Sequence, residues 1–350
     1  MGNLVFLSSI AGIIAAIFYW GFRNLPSERW QMIASVPIRK SEDGDWQGLN
    51  LTYYGFFNAT AMAFSCLMVL ILMSSIGVSA VATVSVMTAG LVIALPTARI
   101  VASVVERKRH TFTVGGAVFV VILVLPWLIS LFNGAAAEWL GVFLPPRPML
   151  AAIVIAYTFG EALGRLACIS FGCCYGRALT HLTPLLNKLL SRFSFVFIGE
   201  TKKASYEGNL NGKPLVPIQA LTSIVFAITG MIGLLLFLEA RWSAALIVPL
   251  ATTQIWRVLS EFLRADFRGG GRISAYQVMA VLGLLYALMS LPWLRNPPVS
   301  APNLSHGLRV FSNGWIIILL QILWLSIFLY LGRSSVTTSK VSFRVVTERI

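Results

Sequence analysis

Nine stretches of roughly 20 mostly apolar residues recur along the chain, and no other feature constrains its fold as much. They lie near residues 3–22, 51–74, 79–103, 112–132, 150–170, 217–238, 242–263, 274–293 and 314–332. Each is long enough to cross a bilayer as a helix, which satisfies its own backbone polar groups. With 57% hydrophobic and only 11% charged residues, the composition excludes an ordinary soluble domain. The expectation is an all-α, polytopic integral membrane protein with about nine transmembrane helices. Leu4 to Trp20 lacks a basic flank and a small-residue cleavage site, so it is read as a retained first span.

Between the spans lie a mixed-charge segment from Arg23 to Asn50, a Pro-rich turn at Pro145–Pro148 and a long polar stretch from Gly172 to Pro217. The last is expected to be the only sizeable part outside the membrane. The 350 residues include 27 Lys+Arg against 13 Asp+Glu, a net charge of +14. In so apolar a chain this excess points to anionic lipid headgroups, and no nucleic acid is expected. Arg147, Arg241, Arg295 and Arg309 fall on one side, and Arg99, Arg165 and Arg257 inside spans; every other basic residue falls on the opposite side. Taken alone, the positive-inside rule puts that basic side in the cytoplasm.

Two spans place full charges in apolar runs, Phe159 to Arg165 and Trp256 to Arg264. An ionisable residue at mid-membrane costs about 2.5 to 3.5 kcal/mol, so it usually marks a wet cavity, a partner or a functional site. Glu161 and Arg165 are four apart, as are Arg257 and Glu261, and Arg264 follows Glu261 by three, so each arginine is expected to be held by a carboxylate. Two readings are open: ion pairs that only neutralise stray charge, or a site, which two such sets favour. The guanidinium fork suits bidentate phosphate recognition, and Arg165, Arg257 and Arg99 outline a phosphate pocket at membrane depth. Gly160, Gly164, Gly172 and Gly176 allow either helix packing or close approach of a headgroup.

Cys168, Cys173 and Cys174 lack the paired CxxC spacing of a zinc site, so no metal is expected. Small buried hydrophobes, a labile disulfide, and a nucleophile activated by nearby arginines all remain open readings. His110, beside Arg107-Lys108-Arg109, and His181 lie near span ends, where surface and acid–base roles are both open.

The run Gly164-Arg165-Leu166-Ala167-Cys168-Ile169-Ser170-Phe171-Gly172-Cys173-Cys174-Tyr175-Gly176-Arg177 resembles the signature of the prolipoprotein diacylglyceryl transferase family, in a cysteine-containing version. Further matches follow in the family's chain order: Tyr53-Tyr54-Gly55, Ala98-Arg99-Ile100, Gly115-Gly116, Pro217-Ile218-Gln219, Arg257 through Arg264, and Ser274-Ala275-Tyr276-Gln277. The resemblance implies a seven-helix core at 51–293 with a polar head segment at 172–216. An extra span and polar loop precede it at 1–50, and an extra span and basic tail follow at 294–350.

By that resemblance, the chain would transfer the diacylglyceryl group of phosphatidylglycerol to the lipobox cysteine thiol of prolipoproteins at the bacterial inner membrane, without metal or cofactor. Arg165, Arg257, His110 and Tyr54 would carry the chemistry. Arg99, Gly115, Gly116, Glu161, Gly164, Cys168, Gly176, Gln219, Glu261 and Arg264 would bind substrate, with Glu261 orienting Arg257. The sequence departs from the family pattern at Val114, where the family has a histidine, at Cys168 for an asparagine and at Cys173 for an acidic residue. Ala220-Leu221 stands where the family has Tyr-Glu. A paralogue with another acceptor and a non-catalytic lipid-binding protein are the alternative expectations.

Overall fold

The structure, a computed structural model, describes residues 2–105, 107, 113–135, 143–267, 273–294 and 298–350. Among the described residues nine long helices form where the apolar stretches lie: α1 (Asn3–Asn24), α2 (Tyr53–Ser75), α3 (Ala80–Val105), α4 (Val114–Ala135), α5 (Pro146–Phe171), α6 (Ile218–Leu238), α7 (Trp242–Glu261), α8 (Ala275–Ser290) and α9 (Gly314–Leu331). Among the described residues eight helices are long and apolar enough to cross a membrane, and α7, with its polar and charged C-terminal half, is the expected span that falls short by composition. The protein is an all-α polytopic membrane protein in its main architecture.

The centre of the packing is α5, which lies against α2, α6 and α7, while α4 packs on α3 and α8. Missing side chains let these helices approach. A Cβ on Gly160 would sit 2.2 Å from Ser65 Oγ, and one on Gly230 would sit 2.7 Å from Thr158 Oγ1 and 3.0 Å from the Phe159 ring. Small residues at such crossings are the usual means of close helix contact in a bilayer. Phe159, Ile155 and Leu166 of α5 are fully buried as a result.

A second part outside the spans was not expected. β1 (Met32–Lys40) and β2 (Trp46–Thr52) form a hairpin, and β5 (Arg333–Val341) pairs antiparallel with β2, giving the order β1-β2-β5. The segment before α2 and the basic tail are therefore strands, not loops, and the head at 172–217 is not the only sizeable extramembrane part. Asn50 ties the sheet internally, donating to Thr337 Oγ1 at 3.1 Å and accepting from Ser339 Oγ at 2.5 Å. Since β2 leads directly into α2 and α9 directly into β5, an even number of crossings must separate them. The eight helices α2 to α9 supply that number only if α7 crosses with the rest.

The head is ordered and clamped. Its strands β3 (Phe195–Val196) and β4 (Pro214–Leu215) pair, Gly176 bridges Arg264, and the Ala265 N–H donates to the Tyr175 carbonyl. Thr201 Oγ1 donates to Glu28 Oε1 at 2.5 Å, which fastens the head to the chain leaving α1.

Candidate functional site

Helical periodicity puts Tyr157, Glu161, Arg165 and Cys168 in one stripe along α5. Arg165 pairs with Glu161 one turn before it. Across the interface, Arg257 of α7 donates from Nη2 to the Tyr157 hydroxyl at 2.6 Å. The structure thus brings both predicted arginines to one region, joined through Tyr157, which sequence reasoning missed although it lies four residues before Glu161.

The expected Arg257–Glu261 pair does not form among the described residues, and Arg264 binds Asp266 rather than Glu261, with Nε and Nη2 at 2.8 and 2.7 Å from its two carboxylate oxygens. The reason is directional. Helical side chains lean toward the N-terminus, so an arginine reaches back to a glutamate four residues earlier and away from one four residues later. Glu161 precedes its arginine, whereas Glu261 follows Arg257. Glu261 instead lies within electrostatic range of Arg264.

Both arginines keep donor capacity. Arg165 Nε and Arg257 Nε are buried with no hydrogen-bond partner among the described residues, and Gln219 Oε1 is in the same condition while its Nε2 donates to the Cys173 carbonyl at 2.9 Å. A buried polar atom left unmatched costs about 1 to 3 kcal/mol, so each of these three is a contact that a ligand could satisfy.

The remaining predicted residues divide. A Cβ on Gly115 would stand 2.7 Å from Arg257 Nη1 and 2.8 Å from the Tyr276 ring, so its glycine makes room for the guanidinium. Gly116 faces Val101 instead and serves α3–α4 packing; Gly176 packs against the Val216 backbone in the head. Gly164 has room for a Cβ, with only Ala61 Cβ 3.9 Å away. Tyr54 lies against Phe171, with ring centroids 5.5 Å apart and planes tilted by 57°, and is in electrostatic range of Cys168, Cys173 and Cys174. Arg99 is exposed, bonded to the Tyr330 hydroxyl with its guanidinium 5.9 Å from that ring centroid on α9. His110 lies outside the described residues. His181 is exposed and lines an open cleft of about 640 Å³ with Tyr175, Arg177, Glu207 and Phe267 on the head.

Lys202 is fully buried, donating from Nζ to the Leu25 carbonyl at 2.9 Å and the Ser170 carbonyl at 2.5 Å. Burial pushes its ammonium down to about 7, against the pull of nearby Glu28. It joins the ends of α1 and α5 to the head, a role its place in a polar loop did not reveal.

The chain matches no protein-family model, and a search of curated proteins gives no match either.

Proposed function

We propose that the region between α5 and α7 binds the phosphate of phosphatidylglycerol, and that the protein transfers the diacylglyceryl group to the lipobox cysteine thiol of a prolipoprotein at the bacterial inner membrane. The carrying observation is the pair of buried, unmatched Nε donors on Arg165 and Arg257, each arginine already anchored by another group. Guanidinium donors at membrane depth suit a phosphate diester that arrives from the bilayer. The signature resemblance at 164–177 supplies the reaction type.

In this reading the acceptor thiol gives up its proton and its sulfur attacks the glycerol carbon bonded to the phosphate oxygen. That C–O bond breaks, its electron pair leaves with glycerol phosphate, and a thioether remains. Arg165 and Arg257 hold the charge growing on the departing phosphate, with Glu161 and Tyr157 fixing their orientation before the reaction begins. A second reading, anionic-lipid binding without transfer, draws on Val114, an exposed apolar residue where the family places a histidine.

The test is mass spectrometry of a lipobox peptide incubated with purified protein and phosphatidylglycerol. A diacylglyceryl mass shift is expected, reduced about 100- to 1,000-fold by Arg165→Ala or Arg257→Ala. Full transfer by either variant would refute the roles given to the arginines; bound lipid without any shift would favour the second reading.

A further inference from the structure

The end of α5 folds three thiols together. Gly172 is left-handed at φ +73, its N–H donates to the Ile169 carbonyl at 3.2 Å, and the Cys173 N–H donates to the Cys168 carbonyl at 3.0 Å. This double closure is the Schellman motif, which brings the side chains before and after the reversal into contact. Those positions usually hold a hydrophobic pair; here both are cysteines. Cys174 then takes a second left-handed turn, φ +53, costly for a residue with a Cβ, and the three Sγ atoms lie within 4.8 Å of one another.

A Zn–S bond is about 2.3 Å, which sets sulfurs of a tetrahedral site about 3.8 Å apart, so small χ1 rotations close the trio on one ion. No histidine or carboxylate belongs to the group among the described residues. Three sulfurs alone are the donor set of a soft cation, and for zinc they leave one of four positions open. The surroundings fit the resulting charge. Zinc with three thiolates is a monoanion and with a fourth a dianion, and Arg165, Arg264 and Lys203 lie in electrostatic range of these cysteines. Each cysteine is half-buried, so the centre is shielded yet reachable.

We propose that Cys168, Cys173 and Cys174 bind zinc as a tri-thiolate centre whose open position takes the acceptor thiol. The metal site rests on this geometry alone; the identity of the fourth ligand rests on the transferase reading. On coordination the acceptor S–H releases its proton to solvent, because a zinc-bound thiol is a thiolate. Its sulfur lone pair then attacks the glycerol carbon while glycerol phosphate leaves beside Arg165. The neutral thioether is a weak ligand, and water or the next thiol replaces it. Thiol activation, for which Val114 offers no group, is thereby supplied from the end of α5.

The full chain in detergent is equilibrated with zinc, desalted and assayed by elemental mass spectrometry, with cadmium titration read by the ultraviolet thiolate-to-metal band. About one ion per chain is expected, falling to background in Cys168→Ser/Cys173→Ser and unchanged in Arg257→Ala. Wild-type protein that retains no more metal than the double variant, at equal helical content by circular dichroism, would overturn the site. X-ray absorption then counts sulfurs with and without a lipobox peptide. A rise from three to four supports thiol capture, also in Arg257→Ala, where transfer is lost; a constant three overturns capture.

Discussion

Lys202 makes stability depend on pH in a direction opposite to the usual gain a lysine makes from an ion pair. Its ammonium titrates at about 7 in the folded protein and at 10.5 when freed, so between those values the unfolded chain holds a proton that the folded chain lacks. Stability therefore rises with pH across that window, and the charged form's burial penalty is present in full below 7. From pH 7 to 8.5 the expected gain is roughly 1.5 kcal/mol. Thermal unfolding of the detergent-solubilised protein, followed by tryptophan fluorescence across those pH values, reads it. In Lys202→Met the slope disappears. That variant also loses the bonds to the Leu25 and Ser170 carbonyls, costing roughly 1 to 3 kcal/mol at pH 8.5 and less at pH 7, where the wild type is itself destabilised. A wild-type midpoint that stays flat or falls from pH 7 to 8.5, or an equal slope in the variant, would refute the burial argument.

Two further outcomes follow from named contacts. Tyr157→Phe removes only the hydroxyl that receives Arg257 at 2.6 Å; a hydrogen bond to a charged group contributes about 1.5 to 3 kcal/mol, so transfer should fall at least 10-fold and the unfolding midpoint should drop by a matching amount. Gly230→Ala drives a methyl against Thr158 and Phe159 in the α5–α6 contact and should cost about 1 to 3 kcal/mol in thermal unfolding, with no effect on metal content.

What the sequence disclosed follows from the range over which its signals act. Spans are local, and the nine long helices among the described residues lie where apolar stretches stand, α7 included despite Arg257 and Glu261. The Glu161–Arg165 pair was legible because spacing and order both favour it; Arg257–Glu261 has the spacing with the order reversed, and spacing alone misled. The Cys168–Cys173–Cys174 cluster was hidden because ligand-spacing rules describe short loops, whereas here a helix-ending glycine brings positions five apart together. Gly172 was the available signal. The sheet was illegible for a different reason: β5 meets β2 nearly the whole chain later, and its Ser- and Thr-rich sequence reads locally as a polar tail.

The pairing of β2 with β5 also makes correct insertion self-reporting. β2 is synthesised before α2 and must wait for β5, the segment that follows α9. Should any one of the intervening helices fail to cross, β5 emerges on the opposite face of the bilayer and the two strands never meet. The inner edge of the hairpin then stays open, with its row of N–H and C=O groups unmatched, the kind of surface that invites foreign strands. A chain cut short before Arg333 presents the same open edge. Closure of this small sheet thus reports on the parity of the crossings between Thr52 and Arg333, and a single missed helix is enough to prevent it.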